Sequence, residues 1–82
     1  MIKNPIDKKI YNMIVEDITT NGKNYSTLTN SQIGNNLNIS VISVRDKVIK
    51  LSRAGYLTSL VSHWDENNKY FHRKILVGNI AG

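Results

Sequence analysis

The sequence predicts an α+β domain, and three observations predict it. Apolar residues recur at three- and four-residue spacing after a capping signal at Asn4-Pro5 and again after Ser40. A shorter capped stretch lies between them, opening at Thr29. Two β-prone runs, 57–64 and 69–77, then follow around the polar stretch Asp65-Glu66-Asn67-Asn68.

The first helix starts where Asn4 caps, Pro5 takes the first helical position, and Asp7 sets negative charge against free N–H groups. Ile6, Ile10, Met13, Ile14 and Ile18 form its buried stripe, which Tyr11 and Val15 widen. It stops by Thr19-Thr20-Asn21-Gly22, where Asn-Gly is a turn signal. Tyr25-Ser26-Thr27-Leu28 reads as a brief strand. Thr29-Asn30-Ser31-Gln32 is a capping box, in which the Thr hydroxyl and the Gln amide satisfy each other's backbone donors. The second helix turns Ile33 and Leu37 inward and ends near Asn38, which tolerates the left-handed conformation. Ser40 caps a third helix running to about Ala54, with Val44, Val48 and Leu51 inside and Gly55 stopping it.

In the hairpin, Asn67-Asn68 as a two-residue type I′ turn fixes a register. Glu66 then pairs with Lys69, Trp64 with Phe71, His63 with His72, Ser62 with Arg73, Val61 with Lys74 and Leu60 with Ile75. Trp64, Phe71, Leu60 and Ile75 share an apolar face, and His63, His72 and Lys74 share the other. Trp64 and Phe71 are expected to close the hairpin against the helices.

The 82 residues are expected to form one domain, with a core over about 6–77 and a tail at 78–82. So short a chain leaves little room for an enclosed catalytic pocket of roughly 300–1,000 Å³. With no cysteine, disulfides, thiol catalysis and Cys-based zinc sites are excluded. His63 and His72 alone are too few to hold a metal, and Asp65 and Glu66 read as turn residues. No cofactor and no enzymatic activity are expected. No apolar run approaches the roughly 20 residues that span a bilayer, so a cytoplasmic protein is expected.

The formal charge is +5 and uneven: residues 1–39 carry a net +1 and residues 40–82 a net +4. A polyanionic partner is the simplest use of such asymmetry. The abundance of Asn, Ile and Lys, whose codons are AT-rich, fits an AT-rich bacterial, plasmid or phage source.

The spacing Leu28-Thr29, Ile33, Leu37-Asn38-Ile39-Ser40, Ser43-Val44, Val48, Leu51, Gly55-Tyr56-Leu57 resembles the winged helix-turn-helix superfamily of DNA-binding proteins, over Ile6 to Val77. The resemblance implies that the helix opening at Ser40 is the recognition helix and that the 57–77 hairpin is the wing. It also implies a sequence-specific binder of double-stranded DNA, functioning as a homodimer. Small accessory proteins that bind plasmid DNA for partition or conjugative transfer, TcpK-type relaxosome proteins among them, are similar in size and composition, and a transcriptional regulator is the other expectation.

On the third helix, Ser43, Lys47 and Lys50 are the candidate DNA contacts; on the hairpin, they are His63, Asn67, Asn68, Lys69, His72, Arg73 and Lys74. Three departures weigh against a simple helix-in-groove reading. Val41 and Ile42 occupy the first turn, Asp46 would repel phosphate, and Arg45 falls on a partly apolar flank where it packs or pairs. The wing therefore competes with the helix as the reader of bases. The alternative is a protein-interaction module working through Val41, Ile42 and the hairpin.

Overall fold

The computed structural model describes residues 1–61 and 73–78. Within them the chain is α+β: helices α1 (Pro5–Asn21), α2 (Asn30–Leu37) and α3 (Val41–Arg53), then an antiparallel pair of strands, β1 (Leu57–Val61) and β2 (Arg73–Val77).

Local chemistry sets the helix limits. The Asn4 side-chain oxygen accepts from the N–H groups of Ile6 and Asp7 at 2.9 and 3.1 Å, with Pro5 behind it at the start of α1. Gly22 ends α1 at φ 72°, a conformation that costs a side chain with a Cβ. The capping box at α2 forms in full: Gln32 N–H donates to Thr29 Oγ1 at 3.1 Å, and Thr29 N–H to Gln32 Oε1 at 2.9 Å. Asn38 closes α2 at φ 58° and ψ 45°, its N–H donating to the Gly34 carbonyl. Ser40 then caps α3, accepting from Ser43 N–H at 3.1 Å.

The tight step from α2 to α3 relies on Gly34. A Cβ there would stand 2.7 Å from the backbone oxygen of Ile39, closer than such atoms approach. A bare backbone lets the start of α3 fold back onto α2.

The core draws on every element. Ile10 and Ile14 come from α1, Ile33 from α2, Val44, Val48 and Leu51 from α3, Leu57 from β1 and Ile75 from β2. None is more than 4% exposed, and each contributes roughly 1.5–3 kcal/mol by leaving water. Ile6, Tyr11, Met13 and Ile18 pack around that centre half-buried. Tyr11 meets Tyr56 edge-on at 6.0 Å between ring centres.

The expected brief strand at 25–28 contracts to one antiparallel bridge. Ser26 and Ile75 exchange N–H···O bonds of 2.8 and 2.9 Å across the edge of β2. The Ser26 hydroxyl is buried but satisfied, donating to Asp17 Oδ2 at 2.7 Å and accepting from Leu28 N–H at 3.1 Å. The segment is thereby fastened to α1 on one side and to the hairpin on the other.

The hairpin register differs by one residue from the expectation. Leu57 pairs with Val77, Ser59 with Ile75, Leu60 with Lys74 and Val61 with Arg73. The expected pairings of Leu60 with Ile75, Val61 with Lys74 and Ser62 with Arg73 therefore do not form. Nor do Leu60 and Ile75 share a face: Ile75 is fully buried, whereas Leu60 is 52% exposed. The cause is strand periodicity. Leu57 and Leu60 are three residues apart and must point to opposite faces. Leu57 takes the core because it leaves α3 directly beneath it, where Gly78 N–H closes onto the Tyr56 carbonyl at 2.7 Å. The expected contacts at Trp64 and Phe71, the Asn67-Asn68 turn and the 79–82 tail lie outside the described residues.

Candidate nucleic-acid interface

Two of the four cations on the third helix pair with the first helix. Lys47 Nζ lies 3.1 Å from Asp7 Oδ1, and Lys50 Nζ lies 2.6 Å from Asp7 Oδ2. The Asp7 side chain is 2% exposed. Burial alone would raise its pKa, but the hydrogen bonds and charges of Lys50 and Lys47 outweigh burial and hold the carboxyl below its ordinary value. Asp7 therefore does more than set charge near the start of α1; it pins α1 to α3. Lys47 retains a quarter of its side-chain surface and Lys50 well over half, so Lys50 keeps an accessible flank. Ser43 is half-buried, its hydroxyl accepting from that of Ser40 at 3.0 Å.

The outward stripe of α3 is mixed rather than basic. Val41, Ile42 and Ile49 are 49%, 62% and 41% exposed. Arg45 and Asp46 project beside them, linked by one long contact of 3.4 Å, and Arg53 is exposed at the end. Between α3 and the strands runs an open groove of about 320 Å³, lined by Asn30, Arg45, Val48, Ile49, Ser52, Arg53, Ser59 and Arg73. Its lining carries three guanidinium groups and no carboxylate.

Arg73, expected to meet DNA, is turned inward by the register. Its Nη1 donates to Asn30 Oδ1 at 2.7 Å and its Nη2 to the Leu28 carbonyl at 2.6 Å. Burial lowers the pKa of this guanidinium, which is held by neutral acceptors alone among the described residues. Its visible task is to clamp β2 to the start of α2.

The outer side of the hairpin is different. Lys74 is exposed, and its Nζ stands 4.7 Å from the centre of the Tyr25 ring. Lys23 approaches the same ring at 5.5 Å. Two cations thus converge on one aromatic, supported by the Ser26–Ile75 bridge beside it. Neither lysine forms an ion pair among the described residues. Lys23 and Tyr25 were not candidates from the sequence; an aromatic two residues after a lysine was the available signal. His63, Asn67, Asn68, Lys69 and His72 lie outside the described residues. No helix among the described residues is long and apolar enough to cross a membrane. No family model matches this chain, and comparison with curated proteins gives no significant match.

Proposed function

We propose that this chain is a winged-helix protein that binds double-stranded DNA in a sequence-specific way, with the hairpin side as its principal contact surface. The element order supports the winged-helix reading: helix, bridging segment, two helices packed through a capped turn, then a hairpin whose second strand receives the bridge. Such a frame presents a hairpin beside a helix, two shapes that fit DNA grooves.

The observation that carries the choice of surface is the difference between two groups of cations. Lys47 and Lys50 both pair with Asp7, though Lys50 keeps an accessible flank, whereas Lys23 and Lys74 stand exposed around Tyr25 with no ion pair among the described residues. A phosphate backbone gains from free charge, and an aromatic among cations offers stacking as well. Asn67, Asn68 and Lys69 continue the same chain segment and are suited to adenine edges and phosphate. The biological setting proposed is a DNA-transfer or partition accessory factor or a transcriptional regulator, in the cytoplasm of a bacterium that carries plasmid or phage DNA.

Selection of bound duplexes from a random pool tests the reading. Enrichment of one motif is expected. It should be lost when Asn67, Asn68 and Lys69 are changed to Ala, and kept in an Arg53→Gln variant. A pool that stays random after selection would overturn the claim of sequence specificity.

A second reading, a protein-interaction module, is favoured by the exposure of Val41 and Ile42 on α3. Under it, duplex DNA of any sequence would fail to bind at low salt.

A further inference from the structure

The exposed stripe of α3 has an internal symmetry. Ile42, Arg45, Asp46 and Ile49 fall at positions i, i+3, i+4 and i+7, so they lie along one line of the helix surface. That line is opposite Val44, Val48 and Leu51, which face the core. Read in reverse, the order isoleucine, arginine, aspartate, isoleucine becomes isoleucine, aspartate, arginine, isoleucine. The apolar ends return unchanged, and the central charges exchange sign.

A twofold axis makes that comparison physically. Two copies of one helix, packed antiparallel about a point between Arg45 and Asp46, set each Ile42 opposite the other copy's Ile49. The same operation sets each Arg45 opposite the other copy's Asp46. An interface between identical subunits must be complementary to itself, and this stripe is.

From this charge and apolar complementarity we infer that α3 is a self-association surface whose occupant is the α3 of a second copy of this chain. The exposure fits. Ile42 and Ile49 are 62% and 41% exposed, large values for isoleucines on a small domain. The Arg45 and Asp46 side chains are 61% and 64% exposed, and the contact between them is long, at 3.4 Å. An exposed pair of this kind is worth little, so both charged ends exchange it for a partner's opposite charge at small cost. A nucleic-acid occupant fits the stripe poorly, since Asp46 at its centre opposes phosphate and two isoleucines flank it. The inference stands apart from the DNA reading, because it rests on the α3 stripe, away from Lys23, Tyr25 and Lys74, and uses no nucleic acid; Arg45 and Ile49 border the groove beside the strands as well.

Sedimentation equilibrium of the full chain tests it, at concentrations from roughly 10 to 500 µM, a range that captures weak dimers. Arg45→Asp leaves two acids on the stripe, and Asp46→Arg leaves two bases. Each variant alone opposes like charges across the axis and should self-associate about tenfold or more weakly than the unaltered chain. An equimolar mixture of the two variants restores both opposite-charge pairs and should recover the dimer as a heterodimer. Ile42→Ser, at an exposed position, serves as a second variant: it should weaken the dimer while leaving the far-UV circular dichroism unchanged. A chain that stays monomeric throughout the range would overturn the inference. So would charge variants that dimerise normally, or a mixture that does not recover.

Discussion

The carboxylate of Asp7, near the start of the first helix, is buried between Lys50 at 2.6 Å and Lys47 at 3.1 Å on the third. This triad crosses 40 and 43 residues of chain and fixes α1 against α3. It also draws two of the sequence candidates for DNA contact into an ion pair, while Lys50 keeps more than half of its side-chain surface exposed.

Stability should therefore depend on acid through Asp7. Its folded pKa lies below the ordinary carboxylate value. The group thus contributes its full stabilisation above the unfolded pKa of about 3.9 and loses it as pH falls through the lower folded value. Asp7→Asn should cost about 1–3 kcal/mol at neutral pH, less than a wholly buried pair because Lys50 is largely exposed. In urea melts the variant should also show a shallower loss of stability below about pH 4 than the unaltered chain. Equal acid slopes in the two proteins would assign the acid response to other groups.

Local signals made most of this fold legible, and long-range pairing made the rest obscure. Asn4, Thr29, Gln32, Asn38 and Ser40 act within four residues of themselves, so their roles follow from spacing alone. The triad at Asp7 and the clamp of Arg73 on Leu28 and Asn30 join residues more than 39 apart, and no local pattern announces them. The register failed for a related reason. Both Leu57 and Leu60 are apolar, and only packing against the helices decides which of them turns inward. At the candidate site, Lys74 was legible as an exposed hairpin cation, while its partner ring, Tyr25, was concealed in a segment that reads as plain strand.

Gly34→Ala should destabilise the chain by about 1–3 kcal/mol, because the new methyl meets the Ile39 carbonyl, a backbone atom that cannot swing away. Asn35→Ala, at the next and exposed position of α2, should be neutral or slightly stabilising. Thermal melts of the two variants decide this. Similar melting temperatures would mean that the α2–α3 step relaxes to admit a side chain.

Arg73→Lys should weaken the fold although charge is conserved. A single ammonium does not reproduce the two-pronged contact with Asn30 and Leu28, and a loss of about 1–2 kcal/mol is expected. Urea unfolding measures it. Unchanged stability, accompanied by weakened DNA binding, would instead make Arg73 a direct DNA contact.

Changing Lys23 and Lys74 together to Gln should reduce the salt dependence of DNA binding with little effect on stability, since both are exposed. If each meets one phosphate, the slope of log K against log salt should fall in magnitude by about 2. A slope equal to that of the unaltered chain would remove this patch from the interface.

The most direct test of the central claim is equilibrium binding of the unaltered chain to its selected duplex, followed by fluorescence anisotropy across a salt series. If Lys23, Lys69 and Lys74 each neutralise one phosphate, affinity should fall roughly 40-fold between 50 and 200 mM salt. No binding to any duplex at the lowest salt, or an affinity indifferent to salt, would contradict the account.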